Sequence, residues 1–416
     1  MPRNYFLTRS GSLRRKDNTL VFEPSPEKDA PCEPLAGVEE VFYSDDEPSA
    51  PTADASGSFA PPSPLEAPDA ALTQAAGAPS LSADDLGELA LEPPAMDEAT
   101  LLDTRSEASV KVNDRRVIPV EDVESIWVFR ELDLNARVLV FLSQHHVPVH
   151  FFNYYGFYAG SFYPRDYLQA GYMIVRQVRH YSNRRLRLAI AREFIAAALH
   201  NITRNLRYYG ARGIDLQAET EGVQLESLRL PEVKSIGELM ACEGRARHAY
   251  YQGFAKILRD RVEFTKRARR PPDNPVNALI SFTNGLVYTA VLSQIYRTQL
   301  DPTISFLHEP GARRFSLALD LAEVFKPLLA DRLIFKLINQ RQLHERDFAQ
   351  DLNCCYLKDS GRKLILQEWD NRLQKTIEHR RLKRHVSYER LIRLECYKLV
   401  KHLTNDEPYK GFCAWW

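Results

Sequence analysis

Residues 172–209, YMIVRQVRHYSNRRLRLAIAREFIAAALHNITRNLRYY, mark the point at which the pattern of the chain changes. Apolar residues recur there at the three- and four-residue spacing of an amphipathic helix, and arginines occupy the remaining face. This periodicity starts near residue 167 and continues to the C-terminus. Upstream, residues 110–129, VKVNDRRVIPVEDVESIWVF, have the density of β-branched residues that is typical of strands. The sequence therefore predicts an α+β fold, in which a small N-terminal β domain precedes a larger all-α domain.

The predicted β domain consists of two separate stretches, residues 1–23 and 109–160. Residues 4–22 alternate as strands do on either side of an expected turn at Ser10-Gly11-Ser12. Residues 145–164, HHVPVHFFNYYGFYAGSFYP, are typical of a buried strand followed by an aromatic connection. The predicted α-helical domain then covers residues 165–416.

Residues 24–108 interrupt the β domain with a stretch rich in proline, alanine, serine and acid. Such a composition buries too little apolar surface to offset the loss of chain entropy, so we expect a disordered acidic insertion. Residues 23–107 contain 20 acidic residues and only two basic ones. Because the whole chain has 55 of each, the remainder has 53 Lys and Arg against 35 Asp and Glu, an excess of +18. That excess suits a polyanion such as nucleic acid, although a solvated basic surface has the same composition.

Composition disfavours membrane proteins and disulfide-rich secreted proteins. No apolar run reaches the roughly 18 residues of a membrane span, and the first 22 residues lack the apolar core of a secretory signal. The six cysteines show no CxxC spacing, which is consistent with reduced thiols. We therefore expect a cytoplasmic protein without a membrane partner.

A helix predicted around residues 235–258 has a carboxylate in a core position. Its apolar face begins at Ile236, and a step of seven residues from there leads to Glu243. This carboxylate either has a function or forms a local ion pair with Arg247, four residues on, worth about 0.3–0.5 kcal/mol on a surface. The inner position of Glu243 favours a function.

Residues 274–301 predict a helix that is apolar nearly all round. Asn274 suits its N-cap and Pro275 its first turn, while Asp301-Pro302 ends it. We expect this helix to lie buried in the centre of the helical domain.

Residues 306–327, FLHEPGARRFSLALDLAEVFKP, place a histidine and two acids in an otherwise apolar stretch. Pro310-Gly311 predicts a turn, and Ser316 is expected to cap the helix that follows. Asp320 lies at the edge of the apolar arc of that helix, and Glu323 lies one turn further on. His308 precedes the turn and could fold back over both acids. Ordinary surface acids and a loop histidine would produce the same pattern.

Glu243, His308 and Glu323 together form a suitable ligand set for a divalent ion. Carboxylates suit Mg²⁺ or Mn²⁺, and a single imidazole favours Mn²⁺. Positive charge accompanies these residues in the sequence, and it is carried by Arg245, Arg247, Arg313 and Arg314. Other catalytic motifs are absent from the sequence: Ala312 breaks HExxH, and neither a Walker loop nor GxGxxG occurs. A metal site beside arginines indicates phosphodiester chemistry.

Seven segments of the chain resemble one known family, the CRISPR-associated spacer-acquisition integrases and endonucleases, here called Cas-one (Cas1). The similarity covers nearly all of residues 1–22 and 109–416 and leaves out the acidic stretch. The segments that carry it are KDNTLVF, IPVEDVESIWVF, HFFNYYGFYAGSFYPR, CEGRARHAYY, NPVNALISFTNGLVY, LDPTISFLHEPGARRFSLALDLAEVFKP and EPYKGFCAWW.

The resemblance implies a metal-dependent enzyme that joins DNA, with a β domain and a catalytic α-helical domain, residues 165–416. It implies a homodimer, two of which flank a dimer of the companion Cas-two (Cas2) protein. The family's metal ligands fall on Glu243, His308 and Glu323, and a supporting acid falls on Asp320. Arg245, Arg247, Arg313 and Arg314 would then bind DNA phosphates, mostly without reading bases.

The reaction implied is transesterification, in which the 3′-hydroxyl of a protospacer attacks a phosphodiester in the CRISPR repeat. Two alternatives stay open: a metal-dependent endonuclease acting on branched or single-stranded DNA, and a non-catalytic DNA-binding scaffold. The acidic insertion would either compete with DNA as an internal polyanion or act only as a spacer.

Overall fold

The computed structural model describes residues 2–25, 115–165, 168–258, 264, 266–268, 272–311, 315–351 and 354–416. Nearly all of the acidic insertion predicted over 24–108 lies outside these residues, and so do Arg313 and Arg314. Within the described ranges, an N-terminal β region precedes a mostly helical region, as the sequence predicts.

The β region contains two four-stranded sheets that enclose an apolar core with one helix, α1 (Ala136–Gln144). The strands are β1 (Arg3–Leu7), β2 (Gly11–Lys16), β3 (Thr19–Pro24), β4 (Arg116–Pro119), β5 (Val123–Val128), β6 (Leu132–Leu134), β7 (Val149–Phe152) and β8 (Tyr158–Phe162). The first sheet has the order β1-β5-β7-β8, with β1, β5 and β7 parallel and β8 antiparallel to β7. The second has the order β4-β3-β2-β6, and β3 and β4, which flank the acidic insertion, pair antiparallel.

The turn expected at Ser10-Gly11-Ser12 lies elsewhere. Gly11 and Ser12 begin β2, and β1 and β2 belong to different sheets. The hairpin turn is Asp17-Asn18, between the paired residues Lys16 and Thr19, and Asp17 has a φ of 52°. Two-residue hairpin turns need positive φ, which Asp tolerates. Gly11 instead allows β2 to approach the backbone of β3 closely, because a Cβ at this position would lie 2.5 Å from the carbonyl oxygen of Glu23.

The helical region also contains two short hairpins that the helical periodicity did not predict. They are formed by β9 (Phe348–Asp351) with β10 (Cys354–Leu357), and by β11 (Thr376–His379) with β12 (Arg384–Ser387). Strands of four residues are too short to establish a period in the sequence. The helices are α2 (Gly171–Ser182), α3 (Arg184–Gly210), α4 (Gln217–Arg229), α5 (Ile236–Leu258), α6 (Pro275–Tyr296), α7 (Ser316–Lys326), α8 (Arg332–Asn339), α9 (Asp359–Gln374) and α10 (Tyr388–Leu403).

Helix α6 is the central buried helix of this region, as predicted. The side chain of Asn274 caps it by accepting a hydrogen bond from the backbone N–H of Asn277 at 2.9 Å, and Pro275 is its first residue. Helix α6 is also long and apolar enough to cross a membrane, but 83% of its apolar 18-residue stretch is buried inside the protein. Its composition therefore reflects a position in the core.

Buried charges join the β region to the helical region. Glu124 of β5 accepts a hydrogen bond from Arg393 of α10 and forms an ion pair with Arg297 at 3.0 Å. On α10, Glu389 accepts from Asn4 of β1 at 3.0 Å. Burial, followed by the charge of Glu124, raises the pKa of Glu389 to about 7, although Asn4, Arg393 and Arg297 lower it. We therefore expect this contact between the two regions to respond to pH near neutrality.

Candidate active site

Helix α7 places two of the predicted site acids inside the protein. All of its residues from Ser316 to Lys326 are buried, because the helix packs against α3 and α6. Asp320 is fully buried and Glu323 is 5% exposed. Ser316 does not cap α7 as predicted, since its hydroxyl donates to the carbonyl of Thr303 at 2.8 Å. Buried carboxylates are costly unless they are paired, so the partners of these two acids define the site.

Asp320 fixes the loop that carries His308. Its Oδ2 accepts hydrogen bonds from the backbone N–H groups of Phe306 (2.6 Å) and Leu307 (2.9 Å). Its Oδ1 lies 3.0 Å from the backbone N–H of His308 and 2.7 Å from Nδ1 of the same residue. Asp320 therefore orients both the loop backbone and the imidazole, and Nε2 is the ring nitrogen through which His308 would bind a metal.

The other side of this loop is held by α2 and α3. Nε of Arg187 donates to the carbonyl of Phe306 at 2.8 Å, and its Nη2 donates to Glu309 at 2.7 Å. The hydroxyl of Tyr181 donates to the second oxygen of Glu309 at 2.9 Å. The loop is thus tied from both sides, which fixes the position of His308.

Arg247 bridges the carboxylates of two helices. Its Nε donates to Glu243, four residues earlier on α5, and its Nη2 donates to Glu323 on α7. The second oxygen of Glu323 accepts from Lys326 at 2.6 Å. The local pair between Glu243 and Arg247 that the sequence offered as an alternative therefore exists, but it is part of a network between helices.

The network is nearly neutral and partly buried. It contains two cations, Arg247 and Lys326, and two carboxylates, Glu243 and Glu323. Burial works against the charge of Arg247, but the carboxylates of Glu323 and Glu243 outweigh it and raise the pKa of Arg247 well above its usual range. Arg247 is therefore a permanent cation of this network.

Lys326 of this network and Asp331 beside it were not predicted from the sequence. Lys326 follows Glu323 by three residues and could have been found by its helical spacing. Asp331 follows in a π-helical turn, Pro327–Asp331, and accepts a hydrogen bond from the hydroxyl of Tyr250 on α5 at 2.9 Å. Burial raises the pKa of Asp331 to about 6, although Arg247 lowers it. No sequence spacing signals that contact, because 81 residues separate Tyr250 and Asp331.

The donor set suits a divalent ion in its chemistry. It offers two carboxylates and a histidine whose Nδ1 is held by a third carboxylate, the usual support of a metal-binding imidazole. In the structure, however, no three His, Cys, Asp or Glu side chains among the described residues lie close enough together to hold a metal ion. The guanidinium of Arg247 lies between Glu243 and Glu323 instead.

Residues 97–371 match the protein family described as CRISPR associated protein Cas1. The CRISPR-associated endonuclease Cas1 of Fusobacterium nucleatum is 50% identical over 306 residues, which cover 73% of this chain and 90% of that protein. The CRISPR-associated endonuclease Cas1 3 of Thermodesulfovibrio yellowstonii is also 50% identical, over 73% of this chain and 92% of its own length. The chain belongs to the Cas1 family.

Solved structures share the Cas1 fold of this chain. A Cas1 protein from Thermotoga maritima superimposes with a TM-score of 0.69 at 33% identity, covering 99% of this chain and 100% of that one. A casposase bound to integration product has a TM-score of 0.71 at 17% identity, covering 99% and 93% of the two chains. At that identity the likeness concerns the fold alone.

Of the four arginines expected to bind DNA, the structure describes Arg245 and Arg247, and these two have different surroundings in this Cas1 chain. Arg247 is directed at Glu243 and Glu323, and its side chain is only 13% exposed. Arg245 is exposed, but it binds both carboxylate oxygens of Glu226, at 3.0 and 2.7 Å, and holds the pKa of that carboxyl below its usual range. Arg313 and Arg314 lie outside the described residues. The structure therefore places Arg247 in the site itself rather than on a phosphate-binding rim.

Proposed function

We propose that this Cas1 chain is a CRISPR adaptation integrase that inserts short foreign DNA into a CRISPR array. The observation that carries the proposal is that Arg247 joins Glu243 to Glu323, from helices far apart in sequence, while Asp320 on the same helix as Glu323 orients His308. In the proposed step, the 3′-oxygen of a protospacer forms a bond to phosphorus in the repeat. The bond from phosphorus to the 3′-oxygen of the repeat strand breaks, and that oxygen leaves as a hydroxyl.

Glu243, His308 and Glu323 would hold the divalent ion, Mg²⁺ or Mn²⁺. When bound, such an ion lowers the pKa of the attacking hydroxyl and stabilises charge on the five-coordinate phosphorus. Asp320 acts through His308 and the loop backbone, since it contacts both. Asp320 is therefore proposed as a positioning residue rather than a ligand.

The proposed partners are DNA, a second copy of this chain and a Cas2 dimer, in the cytoplasm. Support comes from two solved structures with this fold, one titled a casposase bound to integration product and the other a Cas6-RT-Cas1–Cas2 complex. The second has a TM-score of 0.68 and 16% identity and covers 99% of this chain and 36% of that one. The excess of +18 outside the acidic stretch supports binding to DNA phosphates.

Hydrolysis is the second candidate reaction, because the relatives are named endonucleases. The same residues would then act with water as the nucleophile, on branched or single-stranded DNA. The two reactions differ in their products, which are joined strands in one case and only cut strands in the other.

A strand-transfer assay with end-labelled duplexes and a repeat substrate tests the proposal, with and without Mn²⁺. We expect joined product in Mn²⁺ from the full-length protein and a loss of about a hundredfold or more in Glu243→Gln. Glu238→Gln is the matched control, because Glu238 is an exposed glutamate on the same helix. Cut product without joined product would support the endonuclease. DNA binding without any Mn²⁺-dependent product would support the scaffold.

A further inference from the structure

Arg247 is the shared partner of two carboxylates from different helices. It donates to Glu243 through Nε and to Glu323 through Nη2. Lys326 differs, because it contacts Glu323 from three residues further along the same helix and binds the opposite oxygen at 2.6 Å. An ion that bound Glu243 and Glu323 together would therefore compete with Arg247 rather than with Lys326.

The charges of the network favour release of Arg247 when a metal ion binds. Arg247 and Lys326 balance Glu243 and Glu323, and the four side chains are between 6% and 21% exposed. Asp331 is a further acid that interacts with Arg247, Lys326 and Glu323. A divalent ion adds two positive charges to this partly buried set and Asp331 offsets at most one of them, so an uncompensated positive charge remains, which is unfavourable in a region of low dielectric. Departure of the guanidinium would relieve part of that excess.

The side chain of Arg247 is not completely buried. The side chain of Arg247 is 13% exposed, and the adjacent positions on α5 include half-buried Gly244 and exposed His248. A guanidinium that leaves a carboxylate is well suited to a phosphate, because its planar fork of N–H donors matches both groups. A DNA phosphate at the site would thus offer a replacement partner.

We propose that Arg247 is an exchangeable counter-ion of the metal site. A divalent ion takes Glu243 and Glu323 from it, and its guanidinium then pairs with a phosphate of the bound DNA. This inference rests on the proposed function, since it takes the metal and the DNA from there. Metal and DNA would consequently bind cooperatively, and by linkage each raises the affinity for the other by the same factor.

Titration of the full-length protein with Mn²⁺ alone, followed by calorimetry, tests the exchange. Arg247→Gln removes the charge but keeps a hydrogen-bonding side chain, so we expect it to bind Mn²⁺ about tenfold more tightly than the wild type, within the usual range of coupling between sites. Arg245→Gln is the matched control, because Arg245 lies two residues away and binds Glu226. Its Mn²⁺ affinity should remain within about twofold.

A second titration in the presence of duplex DNA tests the coupling. We expect the DNA to raise the Mn²⁺ affinity of the wild type by about tenfold and that of Arg247→Gln by clearly less. Circular dichroism checks that the variants are folded. If Arg247→Gln does not fold, Arg247→Lys replaces it: a lysine cannot bridge both carboxylates through a fork, so Mn²⁺ should still bind more tightly than in the wild type.

The outcomes separate this inference from the proposed function. If the wild type binds no Mn²⁺, or Glu243→Gln binds it equally well, the metal site and the exchange both fail. If Mn²⁺ binding depends on Glu243 but is unchanged or weaker in Arg247→Gln, or in Arg247→Lys where that variant replaces it, only the exchange fails. Arg247 would then have only a structural role, as an ion-pair bridge between α5 and α7.

Discussion

Asp320 holds His308 by two atoms at once, accepting at one oxygen from the backbone N–H at 3.0 Å and lying 2.7 Å from Nδ1 of the ring. The same carboxylate accepts two further backbone N–H groups and is fully buried. Its removal would leave these buried donors without an acceptor, which costs about 1–3 kcal/mol for each group.

Asp320→Ala should therefore lose strand joining mainly through loss of structure. We expect a decrease in the free energy of unfolding of about 3 kcal/mol or more, measured by urea denaturation. Asp320→Asn should recover part of that stability, because one amide oxygen can still accept. A stable Asp320→Ala protein that has lost only joining would instead show that Asp320 is needed for the reaction and not for the fold.

Glu243→Ala, His308→Ala and Glu323→Ala should each abolish strand joining while DNA binding is largely kept. Joining depends on the ligand set, whereas binding depends on basic residues elsewhere in the chain. Gel-shift affinity and joined product, measured on the same preparations, check this. A single variant that joins DNA at close to the wild-type rate would remove that residue from the ligand set.

Glu389 should make stability depend on pH. Burial, followed by the charge of Glu124, raises its pKa to about 7 in the folded protein, above the ordinary value of 4.5. The folded state therefore binds the proton more tightly, so the stability contributed is present below about pH 4.5 and is lost as pH rises through 7. Buried Asp331, with its pKa near 6, acts in the same direction.

Glu389→Gln should consequently be more stable than the wild type at pH 8, and this advantage should shrink at pH 5. The amide oxygen can still accept from Asn4. Urea denaturation at both pH values measures the effect, and exposed Glu232→Gln serves as the control. An advantage that is equal at both pH values would show that Glu389 does not titrate in this range.

The hairpin formed by β11 and β12 should contribute to DNA binding through counterion release. Lys383 and Arg384 are exposed at this hairpin, in the basic run of residues 379–393. Replacing both with Gln should lower the slope of log affinity against log salt by about 0.9 per lost phosphate contact. Arg14 and Lys16 on β2 form a matched pair for comparison. Equal slopes for the two double variants would exclude a specific role of the hairpin.

Replacing residues 26–114 by a short Gly/Ser turn should leave the β region folded. The flanking strands β3 and β4 already pair, with Phe22 opposite Arg116. We expect an unchanged melting temperature. DNA affinity over a salt series then separates the two roles of the insertion: tighter binding at low salt, fading as salt rises, indicates competition with DNA, and superimposable curves indicate a spacer.

The sequence alone determined the change from strands to helices near residue 167 and the buried helix α6 with its cap at Asn274. These features depend on residues close together in the sequence, since a few consecutive residues are enough to show the period of a helix or strand and to form a cap. The same range explains why the pair between Glu243 and Arg247 could be anticipated. The two short hairpins were not predicted, because strands of four residues are too short to show a period in the sequence.

Only the tertiary structure decided how the site is arranged. Arg247 reaches Glu323 across 76 positions of sequence, and Tyr250 reaches Asp331 across 81. Arg247, predicted as a phosphate ligand, contacts two carboxylates in the structure, because the packing of α5 beside the buried helix α7 brings a second carboxylate within its reach. Asp320 became the anchor of the His308 loop for a related reason: a carboxylate without access to water must be satisfied by the nearest donors, and the fold supplies backbone N–H groups there.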